Sequence, residues 1–185
     1  MSLDERFDAV IVGAKAGASW ALEAVYLDLQ PRLLRYLGSV EPELSEDLAT
    51  ETWLGLAKAL PSFEGNEESL RALLFTIARR RVLDHRRREA RTRTVSTDPG
   101  DLARLGPVAD AEREALDRLG TDWALARVSA LPPDQAEVLM LRVMADLSVR
   151  DVATILGKRP GAVRALQLRA LRRLARESTE DPVTR

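Results

Sequence analysis

Residues Ile77 to Arg93 read IARRRVLDHRRREARTR, with eight arginines, one histidine and two acids. Subtracting Asp84 and Glu89 leaves a local charge of about +6, whereas the whole chain carries a net charge of −1. The chemistry such a run offers is phosphate binding, because each neutralised phosphate releases condensed counterion. On a helix the arginines cannot share one face: Arg79, Arg80 and Arg81 spread over most of a turn, and Arg86, Arg87 and Arg88 do likewise. A solvated helix end is the plainer reading, since cations are favoured there by the helix dipole. That effect is below about 1 kcal/mol per charge and accounts for one or two arginines, not for the run. His85 is the chain's one histidine. Alone in a basic helix it is a poor metal ligand or catalyst, so neither metal site nor catalytic group is expected from it.

A second constellation lies in SVRDVATILGKRPGAVRALQLRALRRL. Ser148 followed by Asp151 has the spacing of a helix-start capping box. Val149, Val152, Ala153 and Leu156 make one face, and small Ala153 lets another helix cross closely. Gly157 suits a left-handed helix end and Pro160 the first turn of the next helix. Val163, Leu166, Ala170 and Leu174 form that helix's buried stripe. Short helix, glycine turn and second helix is helix-turn-helix grammar, in which the second helix enters the major groove by its N-terminal half. Lys158, Arg159, Arg164, Gln167, Leu168 and Arg169 stand on its exposed side. Arginine pairs with guanine and glutamine with adenine in bidentate fashion, and the remaining groups hold phosphates. An ordinary helical hairpin with solvated basic residues is the bland alternative.

The elements that position these groups follow from periodicity. Leu22, Val25, Leu29, Leu33 and Leu37 recur every three or four residues from Ser19, a helix that Pro31 kinks or divides and Gly38 ends. A second helix, about 42–60, buries Leu48, Leu56 and Leu60. Asp47, Glu51, Leu54 and Lys58 line up on another of its faces. PSFEGNEE then breaks the pattern with Pro61, Gly65 and Asn66. A long helix from about Glu67 to Arg91 passes from an apolar half into the arginine run. Residues 94–114 carry Asp-Pro-Gly and Gly-Pro and read as a linker. Helical pattern resumes near Asp117, and the helix after Pro133 is expected to bury Ala136, Leu139, Met140 and Val143. The end, TEDPVTR, is polar and expected to fray.

Composition narrows the class. Apolar residues are 45% and charged residues 31% of 185, enough to bury a core and keep a soluble surface. Aromatics are 4%, so Leu, Ala and Val must carry the core, which favours helix over sheet. The chain has no cysteine, which removes disulfides, thiolate zinc sites and thiol switches. With no apolar run of membrane length and no signal core, a cytoplasmic protein without membrane insertion is expected. No Walker loop, zinc cluster or Ser/His/Asp set is visible, so an enzyme is not expected, nor any cofactor. Acids concentrate elsewhere. Five lie between Glu41 and Glu51, and Asp98, Asp101, Asp110, Glu112 and Glu114 fall in the linker. Such patches suit docking on a protein, or holding the basic faces in check when DNA is absent. A solvated acidic face is the bland equivalent.

Four ordered stretches, YLDLQPRLLRYLG, SEDLATETWLGLAKALPSF, LLFTIARRRVLDHRRR and LPPDQAEVLMLRVMADLSVRDVATILGKRPGAVRALQLRALRRL, together resemble a bacterial RNA polymerase sigma factor of the extracytoplasmic-function (ECF) group. The resemblance implies an all-α fold of two small helical domains joined by a flexible linker, with the helix-turn-helix in the second. It places region 2 at 1–93, the acidic linker at 94–114, region 4 at 115–177 and a tail at 178–185. It implies that Asp47, Glu51, Leu54 and Lys58 face the clamp coiled coil of core RNA polymerase. By the same likeness Ser62, Phe63, Gly65 and Asn66 hold an extruded base of the minus-ten element, with Phe63 equally suited to the core. Arg79, Arg80, Arg86 and Arg87 would hold the adjoining backbone, and Lys158, Arg159, Arg164, Gln167, Leu168 and Arg169 would read the minus-thirty-five element. Further implied partners are the polymerase flap and an anti-sigma factor. The linker would thread the RNA exit path. Leu73 stands where the family usually has tryptophan, Arg80 where it has asparagine, and Arg159 where it has a capping serine.

Two rivals remain at this level. A free-standing helix-turn-helix regulator binds DNA without polymerase, and a DNA-compaction protein binds without sequence preference. Neither needs EDLATETWLGL, an acidic docking helix ahead of the arginine run.

Overall fold

The computed structural model describes residues 6–93 and 126–180. Helix α1 (Phe7–Lys15) turns into α2 (Ser19–Val40). A 3-10 turn (Pro42–Leu44) leads to α3 (Ser45–Ala59), and a second one (Leu60–Ser62) begins the loop before α4 (Glu67–Arg93). After the linker, α5 (Pro133–Leu139) continues into a π-helical turn (Met140–Met144), followed by α6 (Val149–Leu156) and α7 (Pro160–Glu180). Among the described residues no strand occurs.

Val25, Leu29, Leu33 and Leu37 are buried as their spacing demands, and α2 closes over them against α3 and α4. Three expectations need correction here. Leu22 is 40% exposed and lines a surface groove instead of the core. Of the two alternatives for Pro31, division does not occur: α2 runs unbroken through it. The proline lies on the exposed side beside exposed Leu27, where the carbonyl that loses its donor can be hydrated. Gly38 does not end α2, which runs on to Val40.

Helix α3 crosses α4 closely because Gly55 presents no side chain there. A Cβ at that position would stand 2.7 Å from Ile77 Cγ2. This approach holds the Asp47–Lys58 face and the arginine run at a fixed mutual angle. Gly55→Val is expected to overpack the crossing by about 1–3 kcal/mol, measured by urea unfolding.

In the second module Leu139 and Met140 are buried as expected and Ala136 is half-buried, but Val143 is 61% exposed. The π-helical turn explains the difference. One extra residue enters that turn, the stripe rotates, and Leu141 takes the inward place. Helix α6 starts at a Ser148 cap: Ser148 Oγ accepts from the Asp151 amide at 3.2 Å and donates to Asp151 Oδ2 at 2.6 Å. Gly157 ends it at φ 62°. Ser148→Ala is expected to cost about 1 kcal/mol and lower Tm by about 2–4 °C in a thermal melt.

The modules pack on each other. Helix α2 meets the π-helical turn, α4 meets α6, and their buried residues form one continuous cluster. Linker residues 94–114, residues 115–125 and residues 181–185 lie outside the described residues, and of the segment expected to be helical from near Asp117 residues 126–129 are helical. Helix α7 extends to Glu180.

Candidate nucleic-acid and polymerase interfaces

Three surfaces carry the expected residues. On α3, Asp47, Leu54 and Lys58 are exposed and Glu51 is half-exposed, so the four share one outward face. Glu51 lies 3.8 Å from Arg81, an ion pair between groups that are each more than a third exposed. Beside this face runs a groove of about 630 Å³ between α2 and α3, walled by Leu22, Tyr26, Trp53 and Leu54. Trp53 Nε1 donates to Gln30 Oε1 at 2.6 Å, and its ring meets Tyr26 at 5.1 Å. Leu54 joins the polar face to the groove. The aromatic wall was missed in the sequence. Its signal is there in Leu22 and Tyr26, spaced i, i+4 but offset from the Val25–Leu29 stripe.

The loop before α4 presents Ser62, Gly65 and Asn66 at the surface. Phe63 belongs to the core, at 9% exposure. Asn66 Oδ1 accepts from the Ser69 amide at 2.9 Å and from Ser69 Oγ at 2.8 Å, which caps α4.

Along α4 several of the arginines meet acids. Arg79 Nε donates to Glu137 Oε1 at 2.9 Å, and both side chains are about four-fifths buried. The Tyr36 hydroxyl reaches the same oxygen at 3.5 Å. Burial pushes the Tyr36 phenol well up, and the Glu137 carboxylate pushes it further, so it remains a donor. Its ring packs edge-on against Phe75 at 5.5 Å. Arg86 pairs with Glu41 and donates to the Val40 carbonyl at 2.9 Å. Arg87 lies 3.3 Å from Asp84, and Arg80, strongly exposed, lies 3.9 Å from it. About two turns before Arg79, Arg71 bridges Glu67 and Asp146, with its Nη1 3.0 Å from Asp146 Oδ2. An acid of the α2–α3 corner and one of α5 thus engage Arg86 and Arg79, while Arg80 and Arg87 remain strongly exposed beside Asp84 of their own helix. Arg79 and Arg86 also line a crevice between the modules, with Glu137 on its far wall.

On α7, Arg159, Arg164, Leu168 and Arg169 are exposed and Gln167 is half-buried. Arg164, Gln167 and Leu168 share a face at i, i+3 and i+4, and Leu171, unnamed in the sequence reading, extends it with 47% exposure. Lys158 leans back to Asp134 at 3.0 Å. Arg159 begins the helix through its main chain: its carbonyl accepts from the Ala162 and Val163 amides at 2.9 and 3.1 Å. Its side chain remains exposed. The two basic faces are thus built on separate modules, α4 in one and α7 in the other.

The chain matches the Sigma-70 region 2 family over residues 25–92 and the Sigma-70 region 4 family over residues 121–174. It is 34% identical to the ECF RNA polymerase sigma factor SigD of Mycobacterium tuberculosis, over 94% of this chain and 84% of that one. The chain belongs to the ECF RNA polymerase sigma factors. It is also 32% identical to the ECF sigma factor ShbA of Streptomyces griseus, over 90% of this chain and 92% of that protein. Its fold is that of CnrH, solved in complex with the cytosolic domain of CnrY, with a TM-score of 0.63 and 19% identity. That match spans 94% of this chain and 97% of the other. This sigma factor's region 2 match lies within the first module, leaving out α1, and its region 4 match covers most of the second. RNA polymerase and promoter DNA are its partners, and the free-standing regulator is not favoured. Among the described residues no single helix is long and apolar enough to cross a membrane.

Proposed function

We propose that this sigma factor acts in the cytoplasm as a non-catalytic specificity subunit, with α3 as its polymerase anchor and two DNA grips that polymerase separates. Asp47, Glu51, Leu54 and Lys58 dock on the clamp coiled coil, and the Tyr26–Trp53 groove beside them extends the contact with apolar area. The loop around Ser62, Gly65 and Asn66 receives an extruded minus-ten base. Arg79, Arg80, Arg86 and Arg87 hold the neighbouring backbone. At the other end Lys158, Arg159, Arg164, Gln167, Leu168 and Arg169 meet the minus-thirty-five element, and the polymerase flap supports that module. An anti-sigma factor covers the polymerase-binding faces until a signal removes it.

The observation that carries this reading is the pairing of Arg79 with Glu137 across the two modules. The two promoter elements lie about 25 base pairs apart, or about 85 Å along the duplex at roughly 3.4 Å per step. A packed unit of this size is roughly 40 Å across. The packed chain cannot occupy both elements. Residues 94–114, fully extended, reach about 70 Å, so a separated pair of modules can. Each grip is weak alone, and tethering on polymerase supplies the effective concentration. Separation also releases Arg79 from Glu137.

Arg164→Ala tests the assignment of α7. It is expected to weaken selection of the upstream element by about 1–3 kcal/mol at one base position. Competition between promoter variants, with holoenzyme, reads the change. Equal loss on every sequence would make Arg164 a phosphate contact instead.

A further inference from the structure

Helix α1 contributes to none of the three surfaces, yet its last residue reaches one of them. Lys15 Nζ donates to the Phe63 carbonyl oxygen at 2.8 Å, across 48 residues of sequence. Phe7, Val10 and Ala14 seat α1 in the core, so the lysine projects from a fixed base. The loop it touches is fixed at its other points as well. The Phe63 ring is buried beneath it, and Asn66 caps α4 after it. Between them Gly65 has φ 149°, and a Cβ there would meet the Ser69 Cβ at 2.8 Å. Ser62, Gly65 and Asn66 are thereby offered to solvent on a backbone whose middle carbonyl is held from a distant helix. A lysine surrenders much side-chain freedom to hold one carbonyl.

We propose that Lys15 is a positioning residue for base capture in the minus-ten element: its bond to the Phe63 carbonyl preorganises the 62–66 receptacle. This inference rests on the assignment of that loop to the extruded base. Extrusion is already costly, and a receptacle that must order itself at the same moment makes it costlier. The ammonium touches no DNA in this role and acts through the loop.

The test uses holoenzyme on promoters that carry a single abasic site, scanned through the minus-ten non-template strand, with the rate of strand opening as readout. In wild type, one abasic position is expected to slow opening, because the captured base is gone. Lys15→Met is expected to slow opening about tenfold on the intact promoter, the size of one charge-assisted hydrogen bond, with unchanged polymerase affinity. At the sensitive abasic position the variant and wild type should converge, since nothing is left to capture. Lys15→Arg, which keeps a donor, should restore most of the rate. Equal slowing of Lys15→Met on every template would show a general tertiary staple and overturn the proposal. Wild-type rates in Lys15→Met, with the sensitive position still present in wild type, would overturn it and leave the loop assignment standing. Absence of any sensitive position in wild type would overturn both.

Discussion

Replacing Asp47 and Glu51 together by lysine is expected to reduce promoter-dependent initiation at least a hundredfold while leaving the helical circular dichroism signal intact. Both residues stand on the outward face of α3, one turn apart, beside Leu54 and the aromatic groove. An acidic face docks where the partner is basic, and like charges brought together at an interface cost several kcal/mol. A hundredfold is about 2.7 kcal/mol, within that range. The fold should tolerate the change. The Glu51–Arg81 contact is 3.8 Å long between exposed groups, and such pairs are worth at most about 1 kcal/mol. Fluorescence anisotropy with labelled core polymerase locates the defect. Loss of initiation with wild-type polymerase affinity would remove α3 from the anchor.

The second large effect concerns Glu137. Glu137→Gln is expected to raise the affinity of the polymerase-free chain for duplex DNA by roughly 5–30-fold, equivalent to about 1–2 kcal/mol. The carboxylate holds the Arg79 guanidinium and accepts from the Tyr36 hydroxyl, so its charge competes directly with phosphate. Glutamine keeps the shape and an acceptor but gives up the charge. The gain should shrink as salt rises, since phosphate contacts weaken with counterion concentration. Because the chain has no cysteine, paired spin labels can be introduced cleanly at Thr76 and Arg150, both exposed. The inter-module distance between them should broaden in Glu137→Gln. A variant with unchanged DNA affinity and unchanged distance would show that the pair does not compete with DNA.

Much of this architecture could be read locally. The cap at Ser148, the turn at Gly157 and the Val25–Leu37 part of the α2 stripe all depend on residues within one or two turns, and each formed as spacing implied. The errors arose where geometry departs from the regular helix or where packing decides. Val143 was misplaced because a π-helical turn shifts the stripe by one residue, and nothing in MLRVM announces it. Leu22 fits the α2 periodicity but lies on the edge of the stripe, where the groove takes it. The Asp47–Lys58 face was legible because it is a single helix side. Glu137 and Lys15 were not, since their partners lie 58 and 48 residues away and become neighbours only through tertiary packing.

The most direct measurement compares the chain alone with the chain on core polymerase, against one randomised promoter library. With polymerase, enrichment should sharpen on two elements at a fixed separation, and transcripts should start at one distance downstream. Without it, binding should be weak, salt-sensitive and nearly indifferent to sequence. If the free chain selects the same two elements as sharply, and polymerase changes nothing, the account of two separated grips is wrong.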